Sequence, residues 1–482
     1  MANLNAQTNF TSCPSLRAVQ RSRRRFLQKA LTTAGATSLL TNCQRRNSKP
    51  AQSPITDQED DCDWQQCQGQ TITLLLNDHP WTTGIQPYWA DFEAKTRIQT
   101  DIKIVPEPEY FQMMENALRD ESTPVDAFFL PMDSTAYRLH QASLLQPLTP
   151  LINNAQLTEA SYNLFDFPEG FRLTAMYPPE ADEQQLFGIP ATFEAYILFY
   201  NKQLVSQYLN GEVPQTMSQL IDAAQTINQL GNGEFFGAVM RGVRSEAIID
   251  TVTGLVLNSW GNESTPLPYN VWFAGDWQQP RFINSKVEAG LTAYARLMQA
   301  GPPNIQSIDW PQATELFQNG KVAFYIDASL FGPGYEHASS SIAGNVGYEL
   351  LPQFQSTSLT GHWLWGLGIA QKSQHPEAAW LFLQWATSQQ MEPLISVATG
   401  GAPRFSSWLN ASPYTEAMNI DYALCVQKAM QTSRPTVVLH PHWNEIALAI
   451  AGTIQLIYNG MDSQQAVSQL QAQVQQLIAS ES

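Results

Sequence analysis

The stretch "TITLLLND", residues 71–78, opens a regular alternation of strands and helices along this chain. It is followed by a helix over residues 88–95, the strand "TDIKIV" (100–105), a helix over residues 110–119 and the strand "VDAFFLP" (125–131). This alternation predicts an α/β fold in which a parallel sheet carries helices on both faces. Ligands bind such sheets beyond the carboxyl ends of the strands, and the loops there begin at Asn77, Pro106 and Pro131.

The same kinds of element continue through the middle of the chain. "VPQTMSQLIDAAQTIN" (213–228) predicts a helix that begins after Thr216, because a threonine hydroxyl can accept from the free amides of a first helical turn. "WPQATELFQNGKVAFYIDA" (310–328) predicts a helix that ends at Asn319-Gly320 and is followed by a strand.

Composition restricts the class of protein. The chain has 482 residues and a net charge of −17, and residues 1–42 contribute six basic residues and no acidic one, so the remainder carries a charge near −23. Nucleic-acid binding requires a basic face, so the composition argues against a nucleic-acid partner. The hydrophobic fraction of 43% is typical of a packed globular protein, and the length predicts more than one core.

The N-terminus has the pattern of an export signal. In "SRRRFLQKALTTAGATSLLTNC" (22–43), three arginines precede an apolar run that is too short to span a membrane. The arginine cluster resembles the twin-arginine export motif. Leu40-Thr41-Asn42-Cys43 resembles a lipobox, although Asn42 stands where Gly, Ala or Ser is usual. We therefore expect residues 1–42 to be removed and Cys43 to carry a lipid that anchors the protein at the outer face of the cytoplasmic membrane.

Residues 43–69 are rich in polar side chains and predict a flexible tether after the lipidated cysteine. Cys62 and Cys67 lie within it, and in an oxidising exterior they could close a small disulfide loop. A metal site is disfavoured here, because only two thiols are present and no histidine is close in sequence. Cys425 lies in an apolar helical pattern, which favours a core position.

Catalytic motifs are absent from the sequence. It contains no Gly-x-Ser-x-Gly turn, no His-Glu-x-x-His and no glycine-rich phosphate loop, and His440 and His442 are its one close histidine pair. No enzymatic activity, cofactor or metal is therefore predicted. A pair of carboxylates such as those of glycosidases stays open as an alternative, because carboxylates are abundant.

Tryptophans next to predicted strands and helices suggest the ligand. Trp81 follows the first strand, Trp363 and Trp365 lie on one side of an extended segment, and Trp443 precedes a helix. Core packing is the competing interpretation for each. A sugar or polyol stacks its C–H faces on such rings while its hydroxyl groups bond to carboxylates and amides. A neutral ligand of this kind also suits an acidic protein, which would repel an anion.

Several stretches in order resemble the family 1 extracellular solute-binding proteins. They are "FGIPATFEAYILFYNKQLV" (187–205), "ELFQNGKVAFYIDASLF" (315–331), "WLWGLGIAQKSQHPEAAWLFLQW" (363–385), "VATGGAPRFSSW" (397–408), "HPHWNEI" (440–446) and "YNGMDSQQAVSQLQAQVQQLI" (458–478). Together they extend the resemblance over nearly all of residues 71–479.

This resemblance implies two Rossmann-like lobes joined by hinge strands, with the ligand in the cleft between them, as in type II periplasmic binding proteins. Residues 70–192 plus 362–400 are expected to form the first lobe, and residues 193–361 plus 401–479 the second. It also implies that the cleft contains the following residues: Trp81, Asp133, Glu194, Asp327, Phe331, Trp363, Trp365, Gly400, Gly401, Arg404 and Trp443.

The resemblance further implies a function in import. A monomer would capture a small neutral sugar (a disaccharide, a glucosylated polyol or a polyol) by lobe closure and deliver it to the permease of an ABC-type importer. A secreted carbohydrate-active enzyme that uses Asp133 and Glu194 is one alternative. A sugar sensor that presents its ligand to a receptor is another.

Overall fold

The computed structural model describes residues 62–178, 184–261, 270–274, 279–355, 358–409, 411–436, 440 and 442–479. The predicted export signal, Cys43 and most of the predicted tether lie outside these residues. Within them, every helix is too short or too polar to cross a membrane.

The strands are short except for one. They are β1 (Thr71–Asn77), β2 (Gln99–Val105), β3 (Ala127–Pro131), β4 (Met176–Tyr177), β5 (Gln185–Leu186), β6 (Ile189–Asn201), β7 (Phe236–Val239), β8 (Phe273–Ala274), β9 (Gln279–Pro280), β10 (Val322–Ala328), β11 (Val346–Glu349), β12 (Gly361–Ile369) and β13 (Arg434–Pro435).

The main sheet has the strand order β2-β1-β3-β12-β6-β10-β7. In addition, β13 pairs with β12, and β11 pairs with β6. β1 pairs in parallel with both β2 and β3, as the alternation predicts, and β7 pairs in parallel with β10. β12 is antiparallel to both β3 and β6, and β6 is antiparallel to β10. Parallel units therefore lie at both ends of the sheet, and antiparallel strands connect them.

β6 joins the two lobes. Its first half, Ile189–Ala195, pairs with β12, whereas its second half, Tyr196–Asn201, pairs with β10 and β11. Nearly all of its 13 residues are buried, which explains why most of its side chains are apolar. We call β1, β2, β3, β12 and the first half of β6 the first lobe, and β7, β10, β11 and the second half of β6 the second lobe. The prediction of two lobes joined by a hinge strand is confirmed.

Helices cover the sheet. Their bounds are Pro80–Ile85, Trp89–Thr96, Glu107–Arg119, Ser134–Gln141, Thr149–Ile152, Glu169–Leu173, Lys202–Leu209, Met217–Gly231, Ile248–Trp260, Ser285–Gln299, Trp310–Gln318, Gly332–Tyr335, Pro376–Ala386, Glu392–Thr399, Pro413–Ala417, Ile420–Thr432, Trp443–Tyr458 and Ser463–Ala479.

Helix boundaries follow local chemistry. The Thr216 side chain accepts from the Gln219 amide, and the Gln219 side chain accepts in return from the Thr216 amide, so a capping box starts the helix Met217–Gly231. Asp309 and Gln312 form the same motif before the helix Trp310–Gln318. The predicted cap at Thr216 is confirmed.

Residues 62–69 differ from the predicted tether. The amide of Asp63 donates to the carbonyl of Gln156 at 3.2 Å, and the indole of Trp64 donates to Glu159 at 2.5 Å. These contacts attach the segment to the first lobe, so the part of the tether that the structure describes is packed rather than extended.

The Cys62–Cys67 disulfide considered from the sequence is not formed. The Cys62 thiol donates to the carbonyl of Leu157 at 3.3 Å, and Cys67 is buried in the core. Burial raises the pKa of the Cys67 thiol. The two side chains are directed to different partners, which closeness in sequence could not indicate. Cys425 is buried in the helix Ile420–Thr432, as predicted.

Candidate functional site

A cavity of about 680 Å³ is lined by residues of both lobes. Its size lies in the range of small-molecule sites, roughly 300–1,000 Å³. Its aromatic lining includes Phe111, Tyr196, Trp310, Phe331, Tyr335, Trp363, Trp365 and Trp443. Its acidic lining, within the part of the chain that the structure describes, is Asp78, Glu107, Asp133, Glu194, Glu246 and Asp250.

The two central strands bring an aromatic face next to an acceptor. Trp363 on β12 lies opposite Glu194 on β6 in antiparallel register, and Trp365 lies two residues further along the same strand. The Trp365 ring stacks on Phe129 with centroids 4.8 Å apart, so the wall behind the cavity is fixed by core packing. Trp363 is less buried than Trp365 and has the more accessible ring.

His79 is bound to Glu194. It lies just after β1, where its Nδ1 accepts from the amide of Trp81 at 3.0 Å and so caps the helix Pro80–Ile85. Its Nε2 lies 3.4 Å from Oε1 of Glu194. The end of β1 therefore contacts the strand that joins the lobes.

The second lobe contributes aromatic rings as well. Phe331 stacks on Trp310 with centroids 5.7 Å apart, and both rings are partly exposed in the cavity. Trp443 begins the helix Trp443–Tyr458 and lies 6.5 Å from the ring of Trp272. Flat apolar surfaces are therefore present on both sides of the cavity.

Four of the acidic groups that line the cavity have raised pKa values. Burial raises the pKa of Asp133 to about 6 and that of Asp250 to about 7. Burial and the charge of Glu194 also raise the pKa of Glu107, and burial raises that of Glu246. Carboxyl groups of this kind bond to ligand hydroxyl groups and disfavour an anionic ligand.

Arg241 lines the cavity and is paired with a buried carboxylate. Its guanidinium donates to both carboxylate oxygens of Asp327, at 2.9 Å and 2.5 Å, and to the carbonyl of Ala247 at 2.7 Å. Tyr325 donates to the same carboxylate at 2.6 Å. Asp327 therefore neutralises the charge of Arg241 and holds its guanidinium group in one orientation beside the cavity.

A model of the bacterial extracellular solute-binding protein family matches residues 79–393. The chain belongs to this family. The solute-binding protein is 27% identical over 384 residues to the erythritol/L-threitol-binding protein of Mycolicibacterium smegmatis, a match that covers 76% of this chain and 78% of that protein. It is 29% identical over 259 residues to the mannitol-binding protein of Pseudomonas aeruginosa, with 52% of this chain and 57% of that protein covered.

Solved structures share the fold of this solute-binding protein. A solute-binding protein of Agrobacterium vitis with bound D-mannitol superposes with a TM-score of 0.68 at 22% identity, over 86% of this chain and 99% of that one. A protein of Agrobacterium radiobacter in complex with ribitol gives 0.69 at 20% identity, over 85% and 99%. The α/β fold of two lobes with a cleft between them is thereby established for this family member.

The structure brings about half of the predicted site residues to the cavity. Asp133, Glu194, Phe331, Trp363, Trp365 and Trp443 line it. Trp81, Asp327, Gly400, Gly401 and Arg404 are not among the residues that line it.

Trp81 is a core residue of the solute-binding protein. It is 1% exposed and stacks on Phe129 with centroids 5.2 Å apart. The helix that begins at Pro80 turns the ring inward, so His79 takes the position beside the cavity that the sequence assigned to Trp81. Asp327 is likewise withdrawn from the cavity, because it pairs with Arg241.

Arg404 stabilises a loop. Its guanidinium donates to the carbonyls of Thr387 and Asn163 and forms an ion pair with Asp166 at 3.3 Å. Gly401 packs so closely on the hinge strand that an added Cβ would lie 1.8 Å from the carbonyl oxygen of Phe193. The Gly400 carbonyl accepts from the hydroxyl groups of Tyr414 and Tyr422. These residues support β6 from behind and do not form the cavity wall.

Sequence reasoning missed His79, Glu107, Arg241, Asp250 and Trp310. His79 and Glu107 follow the carboxyl ends of β1 and β2, so the loops at Asn77 and Pro106 contained the signal. Arg241 follows β7 in the same way. Asp250 lies inside a helix, and no local pattern indicated it.

Proposed function

We propose that this solute-binding protein captures a small neutral polyol or sugar in the cavity between its lobes. The observation that carries the proposal is the pairing of Trp363 with Glu194 across β12 and β6, which sets a stacking surface beside a hydroxyl acceptor. The other acidic groups of the cavity are further hydroxyl acceptors, so the cavity suits a ligand with several hydroxyl groups. Acyclic polyols are favoured, because relatives are named for erythritol, L-threitol and mannitol.

Ligand binding would draw the lobes together. β6 belongs to both lobes, so bending near Glu194 and Tyr196 would change the width of the cavity without breaking either half of the sheet. The sequence placed the lobe boundaries at residues 192/193, 361/362 and 400/401, and we propose to move the first to 195/196, where β6 changes its pairing partners. The contacts of Arg404 with Asn163, Asp166 and Thr387 favour placing the residues just after Gly401 with the first lobe.

Delivery to an ABC-type permease completes the proposed function. The protein would act as a monomer outside the cytoplasm, exported by the twin-arginine-like signal and anchored by lipid on Cys43. A sugar sensor would bind the same ligand, and a glycosidase that uses Asp133 and Glu194 would consume it. Uptake of the ligand by cells that lack the gene distinguishes import from sensing. Loss of uptake would support import, and unchanged uptake would support sensing.

Isothermal titration calorimetry with the lipid-free protein tests the ligand. We expect binding of at least one of erythritol, ribitol and mannitol, with maltose and trehalose as cyclic comparisons. Mannitol 1-phosphate is the matched control ligand, and the acidic cavity should weaken its binding by about tenfold or more relative to mannitol. Failure of every neutral polyol and sugar to bind would overturn the proposal. Release of glucose from maltose or trehalose would support the enzyme alternative.

A further inference from the structure

Asn77 is a buried amide for which the fold supplies no partner. It is the last residue of β1 and 0% exposed, and neither its Oδ1 nor its Nδ2 has a hydrogen-bond partner in the part of the chain that the structure describes. A buried polar group without a partner destabilises a folded protein, so its presence calls for a functional explanation. Its position beside the cavity suggests one.

Asn77, His79, Glu107 and Glu194 are neighbours. Asn77 pairs with Val105 in the register of β1 and β2, and Glu107 follows two residues later. His79 and Glu107 therefore each lie two residues beyond the paired strand ends Asn77 and Val105, and Nε2 of His79 lies 3.4 Å from Oε1 of Glu194. Glu107, His79 and Glu194 line the cavity, whereas Asn77 is fully buried and is not among the lining residues.

The capping bond selects the tautomer of His79. Nδ1 accepts from the Trp81 amide, so it carries no proton, and a neutral imidazole must then carry its proton on Nε2. If Nδ1 carried a proton, its N–H would face the backbone N–H of Trp81, and two donors repel each other. Nε2–H therefore donates to Oε1 of Glu194, and the ring is held by contacts with Phe129 and Trp365.

We propose that Asn77, His79, Glu107 and Glu194 form a subsite that binds two adjacent hydroxyl groups at one end of a polyol. His79 is a positioning residue, because it holds one oxygen of Glu194 and leaves the other oxygen to accept from the ligand. Glu107 accepts from the neighbouring hydroxyl group. Asn77 is too buried for a ligand hydroxyl group to reach it, so it is a second positioning residue, next to the loop that contains Glu107. This inference rests on the proposed function and specifies the part of the cavity that recognises the ligand.

Two substitutions at His79 separate its two hydrogen bonds. In His79→Asn, the short side chain can still accept from the Trp81 amide but cannot reach Glu194, and asparagine is a good helix cap. In His79→Gln, the longer amide can still donate to Glu194. We expect His79→Asn to fold normally and to lose about tenfold in affinity for mannitol, ribitol or erythritol, and His79→Gln to stay within about threefold of the wild type.

His375 provides a matched control. Like His79, it precedes a helix that begins with proline, but its side chain makes no capping bond and it is not among the residues that line the cavity. His375→Asn should leave affinity unchanged. If His79→Asn retains its affinity for the polyols that the wild type binds, His79 does not position Glu194 and the inference is wrong.

A double-mutant cycle tests whether His79 acts through Glu194. The loss caused by His79→Asn should disappear in a Glu194→Gln background, whereas independent roles would give additive losses. Asn77→Leu, of similar shape, should raise the melting temperature because it removes unpaired polar atoms, yet should weaken polyol binding by about tenfold. Unchanged affinity in both Asn77→Leu and Glu107→Gln would overturn the subsite while the proposed function stands. Absence of polyol binding by the wild type would overturn both.

Discussion

Trp363 and Glu194 face each other across the antiparallel pair of β12 and β6, and both line the cavity. Directly opposite residues in an antiparallel pair project from the same face of the sheet. The main stacking surface and a main acceptor are therefore fixed to each other by backbone hydrogen bonds. They lie where β6 passes from one lobe to the other, so a ligand bound to both contacts the segment that would bend in the proposed lobe closure.

Trp363 and Trp81 should respond differently to truncation. Trp363→Ala removes a partly exposed ring, so we expect about a tenfold or larger loss of polyol affinity with little change in unfolding free energy. Trp81→Ala removes a ring packed on Phe129, and we expect a loss of about 3–5 kcal/mol of stability. Calorimetry and urea denaturation on both variants measure the two quantities. Equal stability losses in both would place Trp363 in the core as well.

Asp327 should contribute to the stability of the protein more than to ligand binding. Asp327→Asn leaves the Arg241 charge buried without its carboxylate, which we expect to cost about 3–5 kcal/mol of unfolding free energy. The matched variant is Asp250→Asn at pH 6, below the pKa of about 7 that burial gives Asp250. There the amide replaces a protonated carboxyl group, so urea denaturation should show little change. A mild effect of Asp327→Asn, similar to that of Asp250→Asn, would contradict this ordering.

Local patterns predicted much of the fold. The alternation after "TITLLLND" gave the parallel strands β1, β2 and β3, and the Thr216 cap followed from one hydroxyl group and its spacing. Trp363 and Trp365 could be placed on one side of an extended segment, because side chains alternate in a strand. These features depend on neighbours within a few residues.

The rest of the site depends on contacts distant in sequence. Arg241 and Asp327 are 86 positions apart, and His79 and Glu194 are 115 apart. Whether Trp81 or His79 reaches the cavity depends on how the helix Pro80–Ile85 turns against Phe129. Cys62 and Cys67 likewise follow the packing of residues 62–69 on the first lobe. No pattern within one segment contains that information.

Lipidation of Cys43 should decide where the mature protein resides. Cys43→Ala should release the protein, or its unprocessed precursor, from the membrane fraction, because no acyl chain would remain to anchor it. Fractionation and mass spectrometry of the N-terminus measure this, and Cys425→Ala is the matched control. A wild-type protein that is fully soluble and begins at another residue would contradict the prediction.

Substitution of Arg23 and Arg24 by lysine should separately leave precursor in the cytoplasm.

Glu392 should make the protein less stable as the pH rises. It is 1% exposed, and Ser396 and Ser407 donate hydrogen bonds to its carboxylate oxygens. Burial raises its pKa from 4.5 to about 7. The folded state then binds a proton more tightly than the unfolded chain does. This contribution is complete below pH 4.5 and is lost as the pH rises to about 7, since the unfolded chain ionises first.

Glu392→Gln isolates this contribution, because the amide stays neutral at every pH. The unfolding free energy of the variant minus that of the wild type should increase by on the order of 3 kcal/mol between pH 4.5 and pH 8. Urea denaturation at intervals across that range measures the difference. Asp133 and Asp250 titrate in the same range in both proteins, so their contributions cancel in the subtraction. Parallel stability curves for the two proteins would mean that Glu392 is ionised in the folded state, with its charge stabilised by the two serines and by the nearby Arg404.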